Sequence, residues 1–198
     1  MIPNQRPLLE FQIHLINGHS MIVTLTNQVD VSTALAHFGE PERLFAHQDL
    51  IIGHDHATTV FRREHITWID IVGDTLPQWP LPLGATAIDE IDEDHYRQRF
   101  GQNGSSVPMG LGGFRSAIEI EFLNGKRMYW QIQRQPSEMV GVDVVSLEHT
   151  MFKAGGLHAR RPSGIVIINP ANVTRYTFVP GMSQLPMNSL HGAHAESK

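Results

Sequence analysis

The sequence predicts a mostly β protein that contains one small unit twice, and two observations support this fold class. Residues 10–74 and 117–181 can be laid over each other without a gap at a constant offset of 107, the distance from Asn17 to Asn124 (124 − 17). In both segments an Asn-Gly pair separates two runs that alternate apolar and polar residues, which is the pattern of a tight β-hairpin. An offset that holds over a whole segment indicates an internal duplication. Positions that are identical at this offset include Asn17 and Asn124, Gly18 and Gly125, Met21 and Met128, Phe45 and Phe152, Leu50 and Leu157, Thr67 and Thr174, and Val72 and Val179.

We therefore expect an internal duplication of a five-stranded unit, folded as a small barrel or a half-sandwich, with one or two short helices. The first repeat is predicted at residues 1–74 and the second repeat at residues 117–181. A linker rich in proline and glycine, residues 75–116, separates them, and a disordered tail, residues 182–198, follows. Each repeat is near the lower size limit for independent folding, so the two should share a core or pack together. A single β-sandwich made from both repeats is the alternative.

The elements of the first repeat follow from local patterns. Residues 9–15 alternate as a half-buried strand, the Asn-Gly pair turns the chain, and residues 21–25 alternate again as the return strand. Residues 31–38 place apolar side chains at helical spacing before a Gly-x-Pro stop, which predicts a short helix. Three further strands are predicted at residues 49–52, 58–62 and 66–72.

The linker is predicted to carry one helix. Residues 75–84 hold Trp79 and three prolines, which lack the N–H donor that a sheet ladder needs. Residues 88–100 place their acids in the first half and two arginines near the end, a charge order that suits the dipole of a helix. Residues 101–113 are rich in glycine, and we expect them to form a flexible connection.

The second repeat begins with the same hairpin, with strands expected at residues 118–122 and 128–132. Residues 140–145 fit either a strand or a helical turn, and periodicity does not separate the two. Residues 164–168 form a continuous apolar run, which is typical of a fully buried strand. Residues 173–179 are predicted to be the last strand.

The composition excludes several kinds of site. The chain has 198 residues, a net charge of −5 and no cysteine. Without cysteine there is no disulfide framework, no thiolate metal site and no cysteine nucleophile. The negative charge argues against nucleic acid as a partner. No apolar run reaches the length of a membrane span and no signal peptide is found, so we expect no membrane contact and a cytoplasmic location.

The two hairpins and the closing segments EHITWIDIVG and ANVTRYTFVPG resemble the small barrels of SH3-like and Sm-like proteins. The resemblance is one of architecture, and it implies five short strands around one small core in each repeat. Sm-like proteins also carry an Asp-x-x-x-Asn-type pocket and a basic residue followed by glycine before the last strand. This chain has Arg63-Glu64 and Pro170-Ala171 at the second of these positions and no clear match to the first. The nucleotide-binding function of that family is therefore not carried over, and Sm-like nucleic-acid binding is kept as a second alternative.

The first candidate site consists of His54, His56 and His65, with Asp55 and Glu64 beside them. The first two histidines would share one face of a strand or converge across a turn, and the hairpin that follows could bring the third close. Imidazole and carboxylate ligands suit zinc, nickel or iron. The competing interpretation is chance clustering among the 12 histidines of the chain, since the second repeat offers no equivalent ligands.

The second candidate site is the segment 155–164, predicted as a loop that holds His158, Arg160 and Arg161 between glycines. Two guanidinium groups could clamp a phosphate or a carboxylate through paired hydrogen bonds. The competing interpretation is a solvated loop without a ligand.

These patterns favour a non-catalytic binding or assembly module. No serine lies in a nucleophile-elbow pattern, and no glycine-rich phosphate loop follows a strand. Glu119 and Glu121 share one face of a strand, and we interpret them as solvent-facing rather than as a catalytic pair. Open strand edges predict a homo-oligomer, with a protein or a small anionic ligand as a further partner and no cofactor. The alternative is a metal-binding protein or metal-dependent enzyme with a divalent metal at the three histidines.

Overall fold

The computed structural model describes residues 7–38, 44–45, 49–54, 57–74, 76, 78–81, 85–101, 107–108, 114–134 and 156–180. The predictions for residues 140–145, for the tail and for most of the glycine-rich segment fall outside these ranges. The described part is mostly β, which confirms the predicted fold class. Its elements are β1 Leu9–Leu15, β2 Ser20–Leu25, α1 Gln28–His37, β3 Leu50–His54, β4 Ala57–Phe61, a first 3-10 helix Arg63–His65, β5 Ile66–Gly73, β6 Ala85–Ile91, α2 Glu93–Phe100, β7 Val107–Pro108, β8 Phe114–Phe122, β9 Arg127–Arg134, β10 Leu157–Arg161, β11 Gly164–Ile168, a second 3-10 helix Pro170–Asn172 and β12 Val173–Val179.

Both Asn-Gly pairs turn a β-hairpin, as predicted. Gly18 has a φ of 85° and Gly125 a φ of 77°, values that glycine adopts without steric cost. The side chain of each preceding asparagine accepts a hydrogen bond from the backbone N–H two residues later, at 3.0 Å from His19 and 3.1 Å from Lys126. The ladders β1–β2 and β8–β9 have the same register once 107 is added to the residue numbers of the first.

The remaining elements of the two repeats also correspond at this offset. β3 and β10, β4 and β11, and the two 3-10 helices have bounds that differ by 107 (157 − 50, 164 − 57 and 170 − 63). The ladders β3–β4 and β10–β11 share one register after the shift, and so do β1–β5 and β8–β12. The described parts of the two repeats thus have the same order and pairing of elements. That they arose by duplication remains a prediction.

Ten of the described strands form one sheet. Its order is β12-β8-β9-β6-β10-β11-β5-β1-β2, with β7 paired to β8, and β3 and β4 form a separate two-stranded sheet. The strands β10 and β6 meet in parallel, at Arg160 and Asp89. The repeats are therefore joined side by side, with β11 of the second repeat hydrogen-bonded to β5 of the first.

The strand β11 contributes to two cores at once. Its residues Ile165 and Ile167 pack into the core of the first repeat, whereas Val166 and Ile168 pack into the core of the second. A strand that is buried on both faces has a continuous apolar sequence. The burial of β11 confirms the prediction of a fully buried strand at residues 164–168. Neither repeat completes its core alone.

Two predicted segments differ from the structure. The helix predicted at residues 88–100 begins at Glu93, because the side chain of Asp92 caps it by accepting from the backbone N–H of His95 at 2.7 Å. The residues before this cap form β6, which pairs with β9. The segment 155–164, predicted as a loop, contains β10, whose pairing with β11 and β6 overrides its weak local pattern.

The two helices pack against different parts of the fold. The helix α1 contributes Val31 to the core of the first repeat, with Ala34 and Leu35 packed against that core. The side chain of Asn27 caps α1 by accepting from the backbone N–H of Asp30 at 2.9 Å. The helix α2 packs Tyr96 and Phe100 against Ala117 and Tyr129 on β8 and β9. Within the described ranges, no helix combines the length and the apolar composition that a membrane span requires.

Candidate functional site

The candidate functional site is the joint between the repeats, which consists of β10 and β11 together with their neighbours β6 and β5. The strands β11 and β5 run antiparallel, from Gly164 opposite Val72 to Ile168 opposite Trp68. A Cβ atom on Gly164 would lie 2.0 Å from the carbonyl oxygen of Ile71. Only glycine therefore permits the two backbones to approach this closely.

Two buried asparagines tie the second 3-10 helix to the first repeat. Asn169 donates from Nδ2 to the carbonyl oxygens of Arg63 and Ile66, both at 2.9 Å. Asn172 donates from Nδ2 to the carbonyl oxygens of Glu64 and Ile66, at 2.9 and 2.7 Å. These bonds satisfy backbone acceptors that the joint removes from water.

Arg161 is held by two carboxylates at the joint. Its Nε and Nη2 donate to the two oxygens of Glu90 on β6, the second at 3.0 Å, and its Nη1 donates to Asp70 on β5. Asp70 also hydrogen-bonds Nε2 of His14 at 2.9 Å. Burial alone would lower the pKa of Arg161, but the hydrogen bonds and charges of Glu90 and Asp70 raise it. The guanidinium therefore stays charged and bridges β10 to both neighbours.

Arg160 is more exposed but is also paired. Its Nε donates to Asp89 Oδ1 at 2.8 Å, and Gln133 donates to the other oxygen of the same carboxylate at 3.2 Å. The two arginines and their three carboxylate partners form one charged cluster. It contains two cations and three anions, so its formal charge is −1 (2 − 3). This negative balance counts against the predicted binding of a small anion. Anion binding by this site remains a prediction.

The predicted residues His158, Arg160 and Arg161 line one cavity of about 610 Å³. Trp79 of the linker lines it as well and is only 9% exposed. Its ring meets the imidazole of His158 edge-on, with centroids 5.3 Å apart and planes at 75°. The joint therefore has an aromatic cavity on one side and a charged cluster beside it.

The stability of the protein should depend on pH through His158. Burial lowers the pKa of this imidazole from 6.5 to about 4, so it is neutral in the folded protein near neutral pH. Between these values the unfolded chain binds a proton that the folded chain does not, so the free energy of unfolding should fall as the pH drops, by at most about 3 kcal/mol. Urea unfolding of the wild type and of His158→Gln over this range measures the effect. A stability difference between the two proteins that does not change with pH would contradict it.

The structure describes only part of the predicted histidine site. His65 lies exposed in the first 3-10 helix, and the backbone of His54 ends β3. The side chain of His54 and the whole of His56 fall outside the described residues. Among the residues that are described, no three His, Asp or Glu side chains are placed to hold a metal ion. Metal binding by these three histidines remains a prediction.

Glu119 and Glu121 form an ion-paired cluster on β8. Both carboxylates lie within 3.5 Å of the guanidinium groups of Arg127 and Arg175. Two cations beside two carboxylates remove the reason for the pair to share a proton. The cluster is a feature of the sheet surface, in line with the sequence interpretation.

The strands β12 and β4, which correspond to β5 and β11, each have only one neighbouring strand among the described residues. Within the described residues, β5 lies between β1 and β11, whereas its counterpart β12 pairs with β8 alone. Likewise, β11 lies between β10 and β5, whereas its counterpart β4 pairs with β3 alone. Val60 on β4 is 51% exposed, and Tyr176 and Phe178 on β12 are only partly buried although their counterparts Ile69 and Ile71 are fully buried. Apolar side chains thus remain partly exposed on the two strands β4 and β12, whose edges without a neighbour among the described residues are called the open edges below.

Comparison of the chain with protein-family models, with curated proteins and with solved structures gives no match. The joint and the open edges must therefore be interpreted from their own chemistry.

Sequence reasoning found the basic side of the joint and missed its acidic side. Asp70 was overlooked within an apolar strand, and Asp89 and Glu90 were assigned to the start of a helix. The available signal was Asp70 itself, because a charge within an otherwise apolar strand needs a partner. The offset of 107 was a second signal, because it makes residues 157–161 the counterpart of a segment that was predicted to be a strand in the first repeat.

Proposed function

We propose that this chain is a non-catalytic assembly module that joins head to tail with further copies of itself. One observation carries the proposal: the contact between β11 and β5 has counterpart strands, β4 and β12, that have no such neighbour within the described residues. A contact between β4 of one chain and β12 of the next would have the same form as the contact between β11 and β5 within one chain. A head-to-tail contact of this kind closes into a ring or continues as a filament.

The joint supplies the register of the proposed contact. In the contact between chains, Ala57 takes the place of Gly164 and Phe178 takes the place of Ile71. The Cβ atom of Ala57 would therefore clash with the carbonyl oxygen of Phe178, as a Cβ atom on Gly164 would clash with that of Ile71. We therefore expect the ladder between chains to begin one residue later than in the joint. Subtracting 107 on one strand and adding it on the other gives the pairs Thr58 with Phe178, Thr59 with Thr177, Val60 with Tyr176, and Phe61 with Arg175.

The side chains at the open edges support this contact. Val60 would lie opposite Tyr176 and cover apolar surface that water now reaches. The counterparts of Asn169 and Asn172 are Arg62 and His65, which also carry N–H donors. They could serve the carbonyl oxygens of the second 3-10 helix in the next chain, as the asparagines serve those of the first.

Native mass spectrometry and light scattering of the intact chain test the proposal. We expect an oligomer, and we expect Val60→Lys to shift it towards the monomer because a charge would be placed against Tyr176. The matched control is Val29→Lys on α1, where an apolar residue that is 75% exposed lies outside both edges. A monomeric wild type, or equal effects of the two substitutions, would refute the proposal.

Disulfide cross-linking tests the register, since the natural chain contains no cysteine. In Thr59→Cys/Thr177→Cys the two thiols would face each other across the contact, at a Cα separation that a disulfide can span. We expect covalent dimers and larger species under mild oxidation. In the control Thr58→Cys/Thr177→Cys the thiols point to opposite faces of the sheet and should not cross-link. Equal cross-linking of the two variants would show that the register is wrong.

The other sequence hypotheses remain predictions beside this proposal. They are metal binding at His54, His56 and His65, nucleic-acid binding by an Sm-like surface, an SH3-like or Sm-like identity of the repeats, and a cytoplasmic location. One bound metal per chain in the native mass spectrum would favour the first, and retention of RNA at moderate salt would favour the second.

A further inference from the structure

We propose that the cavity at the joint binds a small, uncharged, planar molecule that carries a hydrogen-bond acceptor. This site lies within one chain and is independent of the assembly proposed above. The cavity volume of about 610 Å³ falls in the range of ordinary small-molecule sites. Its walls combine the aromatic rings of Trp79 and His158 with the aliphatic side chains of Leu81 and Ile88. Flat apolar molecules bury well against such walls.

The acceptor is inferred from the indole of Trp79. Its Nε1 is buried, and no described residue accepts its hydrogen bond. A buried donor without an acceptor costs free energy, which a ligand carbonyl or ring nitrogen would recover. Trp68 and Trp130 also lack an acceptor among the described residues, but they belong to the core of the second repeat and do not line the cavity.

The charges at the joint favour an uncharged ligand. The guanidinium groups of Arg160 and Arg161 are already paired with carboxylates, and the group as a whole has the formal charge of −1 derived above (2 − 3). An anion would be disfavoured by this balance, and the described residues that line the cavity include no carboxylate that could receive a cation. Polar groups at the rim, Gln78 and Ser163, are exposed and can orient an amide or a hydroxyl of the ligand.

Titration with matched pairs of amides and acids tests this inference. Benzamide with benzoate, and 2-naphthamide with 2-naphthoate, differ within each pair by one charge and little in shape. The chain has three tryptophans, so three indole N–H resonances report on binding, and Trp79→Phe assigns the one of interest. We expect the amides to shift the Trp79 resonance at concentrations several-fold lower than the acids. Equal or tighter binding of the acids would overturn the uncharged class and restore the predicted anion site.

Variants separate the cavity from other surfaces. Trp79→Phe keeps a ring but removes the donor, and we expect it to weaken amide binding several-fold in saturation-transfer spectra. Trp68→Phe removes the same donor outside the cavity and should leave binding unchanged. The titration should give the same result with Val60→Lys, because Val60 does not line the cavity, so failure of the assembly does not affect this test. If no amide or acid shifts the Trp79 resonance, the cavity is not a ligand site of this kind.

Discussion

Arg161→Ala should lower the free energy of unfolding by about 3 kcal/mol, because it leaves two carboxylates without their cation at the joint. The side chains of Arg161, Asp70 and Glu90 are all less than a quarter exposed, at 23, 12 and 23%. Water therefore cannot replace the lost guanidinium well. Urea unfolding followed by tryptophan fluorescence measures the change from the transition midpoint at an unchanged slope.

Arg160→Ala is the matched control for this prediction. Arg160 forms an ion pair with Asp89, and its side chain is 61% exposed. Exposed pairs of this kind contribute less than about 1 kcal/mol. Arg161→Lys should fall between the two alanine variants, because it keeps the charge and loses the paired geometry. Equal losses for Arg160→Ala and Arg161→Ala would contradict the bridging role of Arg161.

Gly164→Ala should be the most damaging Gly→Ala substitution among the glycines of the described strands. The added Cβ would meet the oxygen of Ile71 at 2.0 Å and its carbonyl carbon at 3.0 Å. Both are backbone atoms held by ladders on two sides, so neither strand can move without breaking hydrogen bonds. We expect a loss of at least about 3 kcal/mol, at the upper end of the range for overpacking. Gly53→Ala on β3 is the control, since no atom lies within 4 Å of its added Cβ, and we expect a change within about 0.5 kcal/mol.

The same contact makes a reciprocal prediction for the assembly. Ala57 occupies the position of Gly164 in the proposed contact between chains, so Ala57→Gly removes the methyl group that would prevent the first pair of that ladder. We expect this variant to associate more tightly than the wild type, seen as a larger oligomeric fraction at low protein concentration. Weaker association, with folding stability otherwise intact, would argue against contact through this edge.

The sequence predicted the parts of the fold that local chemistry determines. Each Asn-Gly pair supplies the positive φ that its hairpin needs, and residues 164–168 are apolar throughout because β11 is buried on both faces. The sequence did not predict β6 and β10, because their strand structure depends on partners distant in the chain. Asp89 and Glu90 suit a helix start by composition, yet they lie on β6 as the partners of two arginines about 70 residues later.

The candidate site was predictable only in part for the same reason. His158, Arg160 and Arg161 were recognised as a group, because they are close in sequence and flanked by glycines. Their partners come from β5, β6 and the linker, which no local pattern connects to them. The prediction that the two arginines bind an anion requires guanidinium groups that are not paired within the chain. In the structure both are paired with carboxylates of the chain itself.

The pairing of β5 with β11 also bears on how the chain matures during its synthesis. Ile71 pairs with Ile165, which is synthesised 94 residues later (165 − 71). At ordinary rates of translation this delay is about 5 to 20 s. During that time the outer edge of β5 is open, and the core of the first repeat lacks the side chains of β11. Neighbouring ribosomes on one message would then carry nascent chains with the same open edge, any of which can accept a β11 from another chain. Translation speed between the repeats should therefore influence whether each chain closes on itself or exchanges strands with its neighbour.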